Sequence, residues 1–321
     1  MFSRHPTVAH RAGVIRLVTG GGAALLVAAG LTAGCSTTPE PVDEHAEHAT
    51  PAPPATGDVA GSTAVGQDPT LPADAAGAPA RLAASPRHGE WAMIDANGDS
   101  IRAWVVYPER DTPAPVVLVV HEIYGVTHWI RAVADQLAAE GFIAIAPDLM
   151  TAANVPTGED GDPIRDQATA AIRSLDPAVY HPQLRAIAEW GMALPAAAQL
   201  YGIVGFCWGG TASFTHAIES PRLGAAVVYY GSSPATERLQ HINAPVLGLY
   251  GQDDARVNAT VPDAEAEMRR LGKPFEAHFY EGAGHGFLRQ QDGRDGANLA
   301  ATREAWPLTV RFFRQYLDAQ R

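Results

Sequence analysis

Cysteine is scarce in this chain of 321 residues, which has two, Cys35 and Cys207. They lie in unrelated settings, so a disulfide framework is not expected and each cysteine needs its own account. Positive charge is also short: 23 Lys and Arg stand against 35 Asp and Glu, a net charge of −12 with His neutral. Phosphate backbones are held by clustered Lys and Arg, so no nucleic-acid partner is expected. The acidic balance also argues against a substrate gathered by bulk charge, although a local basic residue can still hold an anion. Charged residues make up only 18% of the chain, which points to a long uncharged segment. Extended apolar runs are few, and no internal repeat is evident. The most continuous apolar stretch, residues 17–34, is Gly-rich and marginal against the ~20 residues that a bilayer span needs.

That stretch has a recognisable frame. Arg4, Arg11 and Arg16 precede it, and it ends Leu31-Thr32-Ala33-Gly34-Cys35. A basic start, a short apolar run and a small-residue exit make a secretory signal. A Cys directly after Ala-Gly resembles the bacterial lipobox, with Thr32 where Leu is usual. The resemblance implies a signal peptide over 1–34, acylation of Cys35, and an extracytoplasmic protein anchored to a bacterial membrane by that lipid. From 35 to 87 the chain is Ala, Pro, Thr, Gly and Asp with hardly any large apolar side chain. Such a segment cannot bury enough surface to offset its ordering entropy, so it is expected to be a disordered tether. His45 and His48 flank Ala46-Glu47; two histidines in a polar tail make a weak metal motif.

Order is expected from residue 88 to 321. Trp91–Asp95 and Ile101–Tyr107 are rich in β-formers with Asn97-Gly98 between them, the signal of an N-terminal hairpin. Val116–Val120 has no polar alternation, as suits a strand buried on both faces of a parallel sheet. Ile130, Val133, Ala134 and Leu137 then fall at helical spacing. Phe142–Ala146, Leu200–Phe206, Ala225–Tyr230, Val246–Tyr250 and Phe275–Tyr280 read as further strands. Helices are expected from Trp208 to about Glu219, from Thr260 to Leu271, and at the end, where Trp306, Val310, Phe313 and Leu317 share a face. This alternation implies one α/β domain, a mainly parallel sheet flanked by helices. Catalytic groups in such sheets sit at the carboxyl ends of strands.

Gly205-Phe206-Cys207-Trp208-Gly209-Gly210 follows one of these strands and opens a helix. It is the nucleophile-elbow pattern with Cys as the nucleophile. Side chains two places before and after Cys207 would collide in so sharp a turn, hence Gly205 and Gly209. The thiol would stand at a helix N-terminus, where the dipole favours negative charge. The Trp208 amide would point into the same space as an oxyanion donor. The order expected of this fold is nucleophile, acid, His. After Val246–Tyr250 come Asp253 and Asp254, and the pattern Gly-x-x-Asp-x-x-Val falls on Gly251, Asp254 and Val257, which favours Asp254. After the last strand, Glu281-Gly282-Ala283-Gly284-His285-Gly286 places His285 in the loop where a catalytic base belongs.

Together these motifs resemble the dienelactone hydrolase family of the α/β-hydrolase fold, over roughly Gly89–Leu317. A further match is His121-Glu122-Ile123-Tyr124-Gly125 after the Val116–Val120 strand. The resemblance implies that Glu122 holds the resting thiol and takes part in activating it, and that the Ile123 amide completes the oxyanion hole. It also places a substrate-binding Arg at Arg289. A second family Arg, after Pro147-Asp148-Leu149, is replaced by Ala152. The implied activity is hydrolysis of small, carboxylate-bearing esters or lactones by a Cys207–His285–Asp254 triad through an acyl-enzyme. No cofactor or metal is implied, and a monomer is expected. Rival readings are a general carboxylesterase or thioesterase, and a catalytically silent ligand-binding lipoprotein. Glu159-Asp160-Gly161-Asp162, within a possible cap over 151–166, reads as a surface turn with only a weak calcium signal.

Overall fold

Asn97 and Gly98 adopt φ of 62° and 93°, the left-handed pair that a two-residue hairpin turn requires. They join β1 (Gly89–Ala96) to β2 (Asp99–Val106), antiparallel with Ala96 opposite Asp99. The computed structural model describes residues Asp68–Asp318. Among the described residues one eight-stranded sheet runs in the order β1-β2-β4-β3-β5-β6-β7-β8. Its remaining strands are β3 (Ala114–Val120), β4 (Ile143–Pro147), β5 (Ala197–Phe206), β6 (Leu223–Tyr229), β7 (Val246–Gly251) and β8 (Phe275–Tyr280). β2 pairs antiparallel with β4, and β3 to β8 are mutually parallel.

The unbroken apolar run of β3 is explained by helices on both faces. Val117 and Val119 join a core with α1 (Ala78–Ala83), α2 (His128–Ala139) and α8 (Ala297–Leu317). Val116, Leu118 and Val120 join a second core with α4 (Pro177–Met192), α5 (Trp208–Glu219), α6 (Ala255–Asn258) and α7 (Val261–Arg270). Each of these valines and leucines is fully buried, worth about 1.5–3 kcal/mol per side chain. The remaining helix, α3 (Arg165–Arg173), sits on neither main core. Its Ala168, Ala171 and Ile172 form a small apolar cluster with Ile123, Tyr124 and Met150.

One expectation changes here. The tether does not extend to residue 87. From Asp68 onward the chain is docked on the domain: Leu71, Ala73 and Ala78 are buried, Arg81 donates to the Asp68 carbonyl at 3.0 Å, and Arg87 pairs with buried Asp135 on α2. Ala75 N–H donates to the Arg289 carbonyl at 3.0 Å, and Gln291 reaches the Pro72 carbonyl at 2.9 Å. An Ala/Pro-rich segment with two leucines thus holds its place through backbone and arginine hydrogen bonds that composition does not reveal. One helix goes unread in the sequence: α4, a helix of 16 residues with Pro182 inside it. Met1–Gln67, including Cys35, His45, His48 and the expected signal, lie outside the described residues.

Candidate active site

Cys207 is the N-cap of α5, at φ 56°, ψ −117°. That backbone is strained for a non-Gly residue and persists only when neighbours over-determine it. They do: a Cβ on Gly205 would lie 1.9 Å from the Gly209 carbonyl oxygen, and one on Gly209 would lie 2.4 Å from those of Val120 and His121. The start of α5 is therefore pressed against both the strand that precedes it and the end of β3. The amides of Trp208 and Ile123 donate to no carbonyl among the described residues.

Asp254 opens α6 just beyond β7, and His285 sits in the loop after β8. His285 Nδ1 lies 2.6 Å from Asp254 Oδ2, and both side chains are largely buried. Asp253 faces the other way, 2.9 Å from Arg294 at the surface. Cys207 lies within electrostatic reach of His285. Burial works to lower the His285 pKa, but the Asp254 hydrogen bond and the nearby Cys207 outweigh it and raise it to about 10. An imidazolium beside a sulfur is the arrangement that favours thiolate chemistry.

Glu122 and Arg289 are brought to the same site and are paired with each other. Glu122 Oε2 lies 2.7 Å from Arg289 Nε, and both side chains are largely buried. Two charges taken out of water must be matched, so Arg289 is not an open guanidinium at the site mouth. Glu122 is likewise turned to Arg289. Burial alone would lower the Arg289 pKa; Glu122 holds it above the ordinary arginine value. Asp162 is equally committed: its Oδ1 accepts from the His128 amide and ring Nδ1, each at 2.6 Å, which leaves little of a calcium site in that turn.

Two aromatic residues escaped the sequence reading. Tyr230 follows β6 with a φ of 40°, its ring 5.0 Å from that of His285. Its hydroxyl is buried with no hydrogen-bond partner among the described residues. Burial, then the Glu122 charge, pushes its pKa well above the usual value. Its place directly after a strand was the available signal. Tyr124, one residue beyond Ile123, has the guanidinium carbons of Arg165 and Arg289 at 4.5 and 5.5 Å from its ring centre. Cys207 and Trp208 pack against the α3 cluster that contains Tyr124, so α3 roofs the nucleophile.

A cysteine elbow at the carboxyl end of a central strand, in a sheet of this order, defines an α/β-hydrolase. Comparison with known proteins places it more closely. The profile of the dienelactone hydrolase family matches residues 101–317. A protein of Escherichia coli K12 assigned as a carboxymethylenebutenolidase is 32% identical over 240 residues, spanning 70% of this chain and 85% of its own. A similarly assigned protein of Saccharolobus solfataricus is 30% identical, spanning 70% and 97%. A Klebsiella pneumoniae crystal structure assigned as a dienelactone hydrolase superposes with a TM-score of 0.63 at 30% identity, covering 72% of this chain and 99% of that one. The chain belongs to the dienelactone hydrolase family and is a carboxylic ester hydrolase of that type.

Proposed function

We propose that this protein hydrolyses small ester or lactone substrates with Cys207 as nucleophile, His285 as acid–base and Asp254 as the group that orients and charges His285. The observation that carries this is the 2.6 Å Asp254–His285 contact, with Cys207 on its strained turn close enough to help raise the His285 pKa. Cys207 attacks the carbonyl carbon, forming a C–S bond. The developing oxyanion is met by the amides of Ile123 and Trp208. Collapse breaks the C–O bond, and the leaving alkoxide takes the His285 proton. Neutral His285 then draws a proton from water, whose oxygen attacks the thioester; the acid leaves and the sulfur is restored. Glu122 and Arg289 hold each other beside the thiol, and Glu122 takes part in its activation when a substrate disturbs that pair.

Cys207→Ala should lower turnover of an aryl ester or lactone by at least ~10³-fold with the fold intact. Near-normal turnover in that variant removes the nucleophile assignment. The same proposal places the enzyme outside the cytoplasm on a lipid attached to Cys35, on the strength of the basic, apolar and Ala-Gly-Cys sequence. Cys35→Ser should shift the protein from the detergent phase to the aqueous phase. Partitioning unchanged by the substitution rejects the lipid anchor.

A further inference from the structure

Directly after β3 the apolar run gives way to His121, which is fully buried beside Glu122 and Ile123. A buried imidazole in place of an aliphatic side chain is costly unless its nitrogens are used. One of them is: His121 Nδ1 lies 2.7 Å from the Glu122 carbonyl oxygen. A carbonyl only accepts, so Nδ1 carries the proton. Nε2 has no hydrogen-bond partner among the described residues. Burial lowers the pKa of the ring against the charges of Asp148 and Glu122, so the imidazole is neutral and Nε2 is bare. The Glu122 carbonyl also accepts from the Gly125 amide at 3.2 Å. That carbonyl and the Ile123 N–H belong to one planar trans peptide and point in opposite directions. Two donors that hold the carbonyl on one side therefore aim the Ile123 N–H to the other.

His121 also meets the residue that carries the second amide. Its ring stacks on the Trp208 indole, with centroids 5.9 Å apart and planes inclined by 18°. Tyr180 meets the same indole edge-on, at 5.3 Å between centroids. A Cβ on Gly209 would lie 2.4 Å from the His121 carbonyl oxygen, so the first turn of α5 is pressed onto the His121 backbone as well. We infer that His121 is a positioning residue for oxyanion stabilisation: its Nδ1–H orients the peptide that presents the Ile123 N–H, and its ring packs the side chain of Trp208, which presents the other. This deepens, and rests on, the reading of those two amides as the donors that meet the oxyanion formed at Cys207. His121 needs no contact with substrate, since it acts through the two peptide groups.

The test compares His121→Asn with His121→Leu, which are alike in size and differ in the N–H. His121→Phe is added because it keeps a ring against Trp208 without a donor. With 4-nitrophenyl butyrate, the two variants that lack a donor should lower kcat about 30-fold, less than the ~10²–10³-fold for removing an oxyanion donor outright, with KM within about threefold. His121→Asn should recover most of that loss, because its amide nitrogen takes the place of Nδ1. Alkylation of Cys207 by iodoacetamide, followed on its peptide by mass spectrometry, passes through no oxyanion and should stay within about twofold of wild type in all three variants. Unchanged kcat in both donorless variants overturns the inference. So does an equal fall in His121→Asn and His121→Leu, or a loss of alkylation that matches the loss of turnover, since His121 would then only fill the core or support the thiol. Turnover that persists in Cys207→Ala would instead remove the nucleophile reading itself, an outcome distinct from each of these.

Discussion

Beside the N-terminal end of α5, His285 is held by the Asp254 carboxylate with Cys207 within electrostatic reach, and its pKa is raised to about 10. At the C-terminal end of the same helix, His216 lies 3.0 Å from the Tyr201 hydroxyl, which lies 2.5 Å from Ser220 Oγ, while its other nitrogen approaches that of His181 at 3.4 Å. On residue types alone the second cluster has a hydroxyl, an imidazole and a relay. What it lacks is a carboxylate. Burial therefore lowers His216 to about 3 and His181 to about 4, so both are neutral at ordinary pH. The first cluster also stands at strand ends, with Cys207 on a strained turn beside the amides of Trp208 and Ile123; the second lies along a helix flank. A buried histidine becomes a base when a carboxylate holds its proton in a place a substrate reaches. Without that carboxylate it is a hydrogen-bonding part of the core.

The comparison is broken most severely by taking the carboxylate away. Asp254→Asn should cost up to about 10⁴-fold in kcat, because it removes both the fixed tautomer and the stabilised imidazolium. In ring-nitrogen NMR spectra the His285 pKa should fall, since the Asp254 hydrogen bond is the strongest influence raising it. Asp253→Asn, which loses a surface contact to Arg294, should leave kcat within about threefold. A larger loss from Asp253→Asn than from Asp254→Asn would show that the wrong carboxylate has been assigned to the histidine.

The two ends should also titrate in opposite directions, a smaller effect that sharpens the contrast. His181 and His216 have folded pKa values below the ordinary 6.5. Their unfolded forms bind more protons, so the stability they allow is complete above about pH 6.5 and falls as pH drops toward 4. Between pH 7 and pH 5 the urea-unfolding free energy should drop by on the order of 2–4 kcal/mol from this pair. His181→Gln should remove a substantial part of that drop. His285 is raised above 6.5 to about 10, so its contribution is complete below about pH 6.5 and is lost as pH rises through 10. Asp254→Asn should flatten that alkaline loss. Acid sensitivity identical in wild type and His181→Gln would count against the neutral-core reading of the second cluster.

Much of the site was legible because its parts obey local rules. The elbow needs two glycines around Cys207, Gly251 and Val257 set the register that selects Asp254, and His285 falls in the loop after the last strand. The sheet was legible for the same reason, since a strand covered on both faces, as β3 is, reads as an apolar run. What escaped depends on partners distant in sequence. Nothing around Arg289 announces Glu122, and nothing around Arg165 announces Tyr124. Pro182 hid α4 because local proline chemistry favours a break, whereas buried Tyr180, Leu184 and Ile187 hold the helix on the sheet. Residues 68–87 were misread because few large side chains were present to signal burial, and their hold on α2 and on the loop after His285 is made by Arg81, Arg87 and backbone groups.

The most direct test of the account is to look for the acyl-enzyme itself. Wild-type protein mixed with a 4-nitrophenyl ester and quenched in acid within the first turnover should gain the mass of one acyl group, carried on the peptide that contains Cys207. His285→Ala should prolong the adduct, since neutral His285 activates the water that removes it, and Cys207→Ala should show none. An acyl group found on another residue, or steady turnover in Cys207→Ala with no adduct at any time, would contradict the account.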